Sequence, residues 1–340
     1  MTTEEETIEQ HSEDRTEELE RTEELERELN SSESPYHVTD PVLSLIGDTP
    51  LIKYPRSGKE SLHIKLEMKN PTGSMKDRIA LGMVLEMRQL GKINANDLIV
   101  EASSGNTAGS VSLVANRLGY DCVITIPEST SKQKSGYIES FGSELIKCPN
   151  VGSNHRDHYR NKAKRISNKR DGVILDQYHN QLNPQVHEKW TAPELWEQTN
   201  NLTHVVCPMG TGGTISGIGK YMSEKDDTIE IIGVDAEHSN ISTAFHNEDL
   251  VEYDTSIEGL GKECESPTMW FEYIDSIISV SDETAVSWTK RAAMEDGLLI
   301  GTSTGAALKV AYEISERIDD SSVVVIACDS GNQYFETITA

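Results

Sequence analysis

The sequence runs to 340 residues, enough for two lobes with a sizeable buried core and no need of disulfide staples. Its 57 acidic residues outnumber 31 basic ones, and the formal charge of -26 describes a surface that repels nucleic acid and anionic membranes. Only abundant counter-ions relieve such self-repulsion, so the composition points to a halophilic protein at home in a salty cytoplasm.

Residues 1–37 are acidic and of low complexity, including the near-repeat Arg15-Thr-Glu-Glu-Leu-Glu20 and Arg21-Thr-Glu-Glu-Leu-Glu26. With so few apolar side chains to bury, this extension is expected to be disordered. The start lacks the basic and apolar regions of a signal peptide, and no apolar run approaches the roughly 18 residues of a membrane span, so a soluble cytoplasmic protein is expected. Five cysteines, odd in number and without a C-x-x-C pair, read as reduced and mostly core residues.

Folded sequence begins near Tyr36, and residues 62–67 read as a strand. The turn-rich stretch Asn70-Pro-Thr-Gly-Ser-Met-Lys-Asp-Arg78 then breaks into a helical run at residues 79–85, which puts Lys76 at a helix start. The positive end of a helix dipole disfavours a charged ammonium there, and a neutral amine is what attacks a carbonyl. A solvated loop lysine is the alternative reading.

From Lys76 onward the pattern alternates. Strands are expected at 98–102, 122–126, 144–147 and 173–175, with helices at 107–118, 130–141 and 155–170 between them. In the second half, strands at 205–208, 229–235, 276–281 and 323–327 are separated by a helix ending at Tyr221, a less regular stretch at 236–275, and helices at 282–296 and up to Arg317. This beat predicts an α/β protein with two doubly wound lobes, mostly parallel sheets, and ligands at the carboxyl ends of the strands. The expected lobes are residues 38–180, with Lys76, and 181–340, the first strands at about 38–69 being able to pack on the larger lobe.

Gly210-Thr-Gly-Gly-Thr214 lies between an apolar strand and a helix, where bare amides, a helix dipole and two hydroxyls can hold a phosphate. Ile215 stands where G-x-G-x-x-G needs its third glycine, and no G-x-x-x-x-G-K-[ST] occurs, so the loop suits a phosphate monoester better than a dinucleotide. A plain structural turn is the competing reading. Ser103-Ser-Gly-Asn-Thr107 likewise caps a helix and offers hydroxyls and amides to a carboxylate, with an asparagine able to donate to a phenolate; an ordinary cap needs only one of these.

His155, His158, His179, His187 and His204 lack metal-ligand companions and read as surface or core residues, so no metal is expected. Gly301-Thr-Ser-Thr-Gly305 matches G-x-S-x-G but follows a helix, which leaves a Ser-His-Asp hydrolase without its strand.

A lysine at a helix start, a phosphate cradle and a second anion-binding loop together describe a pyridoxal 5′-phosphate (PLP) site. On the stretches 70–78, 103–107, 210–214, 297–305 and 329–334, the chain resembles the cysteine synthase and cystathionine β-synthase family over residues 38–338. The resemblance implies a tryptophan synthase β-like fold (PLP fold type II) and a PLP-dependent transferase or lyase acting on small molecules as a homodimer. It implies that Lys76 is the Schiff-base lysine, that Gly210, Thr211, Gly212, Gly213 and Thr214 bind the cofactor phosphate, that Asn106 bonds the ring hydroxyl and that Ser330 meets the pyridine nitrogen. Ser103, Ser104, Thr107, Gln177 and Gly259 would hold the substrate. The family usually has threonine where Ser103 stands, a loss of one methyl that leaves the hydroxyl in place.

A neutral serine at the ring nitrogen makes a moderate electron sink, suited to eliminating a β-substituent, provided the carboxylate of the adjacent Asp329 points elsewhere. The expected activity is a cysteine synthase, replacing the leaving group of an O-activated serine, O-acetylserine first, with sulfide to give L-cysteine. Cystathionine β-synthase, O-phosphoserine sulfhydrylase and 2,3-diaminopropionate synthase activities are the alternatives; Lys132, Lys134 and Lys262 could pair with a phosphate. A non-catalytic binding or regulatory module is the alternative of another class.

Overall fold

A computed structural model describes residues 35–36, 38–56 and 61–339. The acidic stretch up to residue 34, with the disorder expected of it, lies outside them. By its contacts the chain divides into a larger unit, residues 46–83 with 176–340, and a smaller one holding 84–175 and the described residues up to 45. The first strands thus sit in the larger unit, as the sequence allowed for about 38–69, and this unit extends to residue 83, so that Lys76, expected in the other lobe, falls in it too. Strand pairing is the cause: Leu51–Lys53 runs antiparallel to Leu62–Lys65, which pairs in parallel with Val323–Ile326, far along the chain.

The larger unit is built on a six-stranded sheet in the order Leu51–Lys53, Leu62–Lys65, Val323–Ile326, His204–Pro208, Glu230–Ala236, Ser276–Val280. All pairs after the first are parallel. Side chains alternate across a strand, and here both faces are apolar and covered. Val323 and Val325 join Val206 and Ile64 in a cluster under the helices Asp282–Asp296 and Thr302–Arg317. Val324 and Ile326 join Val205 and Cys207 on the opposite face, under Ala192–Gln198 and Gly213–Lys225. That arrangement is a doubly wound layer.

A four-stranded, fully parallel sheet forms the smaller unit, in the order Glu144–Cys148, Cys122–Pro127, Ile99–Ala102, Val173–Ile174. Helices Asn106–Arg117, Lys132–Glu139 and Tyr159–Arg170 alternate with its strands. A Cβ on Gly109 would stand 2.3 Å from the Tyr137 ring, so glycine lets the first two of these helices approach closely.

The helical stretch 182–198, which the pattern left without an element, comprises Leu182–Val186, a π-helical turn His187–Thr191 and Ala192–Gln198. Pro184 and Pro193 disguise it in the sequence; Pro184 sits in the first turn, where a missing N–H costs little, and Pro193 comes just after the π-helical turn. The irregular stretch 236–275 includes a short helix, Asn240–His246. No helix among the described residues is long and apolar enough to cross a membrane.

Candidate active site

Lys76 is the first residue of the helix Lys76–Gln89 and is half-buried. The turn ahead of it is tied down on both sides. Asp77 accepts from the Thr72 amide at 2.8 Å and from the Thr72 hydroxyl at 2.6 Å, closing the turn on itself. The Met75 amide donates to the Cys328 carbonyl at 2.8 Å and the Ser330 amide to the Gly73 carbonyl at 3.0 Å, so the lysine turn and Ser330 lie side by side.

Behind the lysine is a buried ion cluster. Fully buried Arg78 grips Glu67 with Nε and Nη2, at 2.7 and 2.8 Å, and reaches Glu194 with Nη2 and Nη1, at 2.9 and 2.8 Å. Lys65, also fully buried, bonds Glu194, the Thr49 carbonyl at 2.6 Å and Gln198 Oε1 at 2.7 Å. Asn70 donates to Glu67 Oε2 at 2.9 Å and accepts from the Gly47 amide, while the guanidinium lies 5.0 Å from the Trp190 ring centroid. Burial alone would push Glu67 up, but Arg78 and then Lys65 hold its carboxyl below the usual range; Glu194 is held low in the same way. Two cations balance two carboxylates, and both ends of the stretch 70–78 are anchored in the cluster.

The Gly210–Thr214 turn follows strand His204–Pro208 and opens the helix Gly213–Lys225. Its glycines are needed for space. A Cβ on Gly210 would lie 2.5 Å from the Gly259 carbonyl, one on Gly212 (φ +80°) 2.2 Å from Met269, and one on Gly213 2.1 Å from Asn183 Oδ1. Asn183 donates to the Gln177 carbonyl at 2.7 Å and to Thr211 Oγ1 at 3.3 Å. The Thr268 hydroxyl bridges the Thr211 and Tyr178 carbonyls. Thr214 Oγ1 is 3.7 Å from Met75 Sδ and 3.3 Å from His187 Nε2. The larger unit therefore brings Lys76, Gly210, Thr211, Gly212, Gly213, Thr214, Gln177, Gly259 and Ser330 into one connected set.

Beside Ser330 lies the buried carboxylate of Asp329. Its Oδ2 accepts from the Tyr334 hydroxyl at 2.5 Å, and its Oδ1 fills the space where a Gly301 Cβ would be, 1.9 Å away. Ser330 Oγ accepts from the Asn332 amide at 3.3 Å. The Cys328 thiol, beside Lys76, is pushed up to about 12, chiefly by burial, and stays neutral.

Ser103, Ser104, Asn106 and Thr107 belong to the smaller unit. There the strand Ile99–Ala102 runs into a loop capped by Gly105, whose amide donates to Ser103 Oγ at 3.3 Å, and the helix begins at Asn106, one residue earlier than expected. Thr107 is buried and the two serines half-buried.

Two features escaped the sequence reading. His187, taken there for an ordinary surface or core residue, borders the Gly210–Thr214 turn. The ion cluster around Arg78 left one signal, two charges inside the apolar run Leu62-His-Ile-Lys-Leu-Glu67.

Residues 42–329 match the family described as "Pyridoxal-phosphate dependent enzyme". Cysteine synthase B of Escherichia coli (strain K12) is 32% identical over 302 residues, covering 86% of this chain and 93% of that protein. Cysteine synthase of Staphylococcus aureus (strain Mu50) is 34% identical over 304 residues, covering 88% of this chain and 96% of that protein. Cystathionine beta-synthase of Saccharomyces cerevisiae is 34% identical over 313 residues, covering 86% of this chain and 61% of that protein. Among solved structures, an O-ureido-L-serine synthase superposes with a TM-score of 0.80 at 27% identity, covering 88% of this chain and 94% of that one. With most of its length inside that match, the chain belongs to the family of pyridoxal-phosphate-dependent enzymes.

Proposed function

We propose that this enzyme carries out β-replacement on an O-activated serine, making L-cysteine from O-acetylserine and sulfide. The observation that carries the reading is the direct linkage of the Lys76 turn to Ser330 on one side and to the Gly210–Thr214 turn on the other. The residues fit the cofactor: at the start of a 13-residue helix, three glycines leave room that a Cβ would fill, two threonine hydroxyls add donors, and the residue before Lys76 touches the turn.

Bound PLP supplies an aldehyde for an amino group and a ring that draws electrons from the substrate's Cα. In this reading Gly210 to Thr214 would bind its phosphate, and Lys76 Nζ would be the amine that holds its aldehyde end. The Lys76 amine would also move the proton from the substrate's Cα. Ser330 Oγ would be the neutral partner of the ring nitrogen, a role supported by the Asp329 carboxylate's bond from Tyr334. Gln177 and Gly259 take the substrate side, and the roles expected for Ser103, Ser104, Asn106 and Thr107 belong to the same proposal, as do a homodimer and a cytoplasmic location.

Similarity to cysteine synthases supports sulfide as the nucleophile, while the cystathionine beta-synthase and O-ureido-L-serine synthase among the relatives support the broader β-replacement class. The test is twofold. Lys76→Ala should abolish both turnover and the visible absorbance of the bound cofactor; an active variant refutes the assignment. O-acetylserine, O-phosphoserine and serine assayed against sulfide, thiosulfate and homocysteine should give the highest kcat/KM for O-acetylserine with sulfide, and a clear preference for another pair replaces this substrate assignment.

A further inference from the structure

His187 opens the five-residue π-helical turn His187–Thr191, inside a helical run that is otherwise α-helical from Leu182 to Gln198. Turns of this pitch are rare and gather at functional positions. The side chains at its two ends are buried, His187 at 1% exposure and Thr191 at 0%, and they meet: His187 Nδ1 is 2.8 Å from Thr191 Oγ1. The other ring nitrogen, Nε2, lies 3.3 Å from Oγ1 of Thr214, the last residue of the Gly-Thr turn. A chain from hydroxyl to imidazole to hydroxyl thus runs through dry interior to the start of the helix Gly213–Lys225.

Burial, with Lys76 and Arg78 nearby, holds the imidazole well below its ordinary range, so the ring is neutral and carries one N–H. With that hydrogen on Nδ1, Nε2 would accept from Thr214, leaving only lone pairs on Thr214 Oγ1 to face an incoming anion. With it on Nε2, Thr191 donates into Nδ1, His187 donates to Thr214, and the Thr214 hydrogen is turned outward. Its acceptor in this structure is Met75 Sδ at 3.7 Å, a weak one that a phosphate oxygen readily displaces.

We infer that His187, in the Nε2–H form that matches the Thr214 hydroxyl's donation to Met75 Sδ and leaves Nδ1 to accept from Thr191, is a positioning residue that fixes the Thr214 hydroxyl as a hydrogen-bond donor to the cofactor phosphate. The inference rests on the reading of Gly210–Thr214 as the phosphate loop.

The experiment strips PLP from wild type, His187→Leu, His187→Gln, Thr191→Val, Thr214→Val and the His187→Leu/Thr214→Val double variant. Each apoprotein is titrated with PLP, and the phosphorus NMR resonance of the rebound cofactor is recorded. His187→Leu and Thr214→Val should each weaken PLP binding about 10- to 100-fold, the value of one hydrogen bond to a charged group. The double variant should bind within about threefold of Thr214→Val alone, because both changes remove the same bond. His187→Gln, whose amide N–H stands in for Nε2–H, should stay within about threefold of wild type, with an unmoved phosphorus resonance where His187→Leu shifts it. A His187→Leu protein with wild-type affinity and resonance overturns the inference, and so do losses that add in full. Should His187→Leu fail to fold, Thr191→Val decides in its place: weaker PLP binding supports the relay and unchanged binding overturns it. If Thr214→Val itself binds PLP normally, the phosphate-loop reading falls as well, which separates that failure from failure of the relay alone.

Discussion

Replacing Arg78 with methionine fills similar volume without charge and removes three hydrogen bonds to carboxylates at once, two to Glu67 and one to Glu194. Counted singly at about 1.5–3 kcal/mol each, they would sum to roughly 4.5–9 kcal/mol, as large as the whole stability of many domains. The surrounding groups argue for less. Glu194 keeps Lys65, and Glu67 keeps the Thr49 hydroxyl at 2.7 Å and the Asn70 amide at 2.9 Å. What remains is the cost of one buried carboxylate stripped of its main cation, about 3–5 kcal/mol, or roughly two to three and a half powers of ten in the ratio of folded to unfolded protein. Urea unfolding followed by circular dichroism measures it. The Arg78→Met/Glu67→Met double variant should recover part of the loss, since it removes the uncompensated charge as well. A single variant within about 1 kcal/mol of wild type, or a double variant no more stable than the single one, refutes the account of the cluster.

Three further outcomes are expected. Gly213→Ala, whose methyl would stand 2.1 Å from Asn183 Oδ1, should lose PLP on dialysis as read by visible absorbance, whereas Gly152→Ala, with nothing within 4 Å, should keep it. His187 is held below its unfolded pKa of about 6.5, so its contribution to stability is present above that value and is lost as pH falls beneath it. Unfolding free energy should therefore decline between about pH 6.5 and 5, where the depressed carboxylates of Glu67 and Glu194 do not yet titrate, and the decline should be shallower in His187→Gln. His158 and His204, also lowered by burial, supply the remaining slope. Finally, with a formal charge of -26, the melting temperature should rise with KCl from dilute buffer to molar concentration, and indifference to salt would refute the halophilic reading.

What the sequence disclosed was local. Lys76 at a helix start, and the Gly-Thr turn between a strand and a helix, are written in adjacent residues and were placed correctly to within a residue. What it concealed depended on partners far along the chain. Glu194 pairs with Arg78 across 116 positions, and a lysine or glutamate in isolation reads as a solvated charge. His187 meets Thr214 across 27 positions, so it looked like any other histidine without a metal companion. The unit boundary was displaced for the same reason, because Leu62–Lys65 pairs with Val323–Ile326 and no periodicity within residues 46–83 announces that. The contact that Asp329 makes was equally hidden, since it depends on how the turn brings the Tyr334 hydroxyl, five residues on, back to the carboxylate.

The position of Val323–Ile326 in the sheet also bears on how the protein is made. This strand lies between Leu62–Lys65 and His204–Pro208, yet it leaves the ribosome long after the first of them. At about 5–20 residues per second, roughly 13–50 s separate the two. Throughout that interval the nascent chain carries a strand edge open to pairing with any other chain, and both apolar clusters lack their middle. Completing this sheet therefore calls for that edge to be shielded while translation continues.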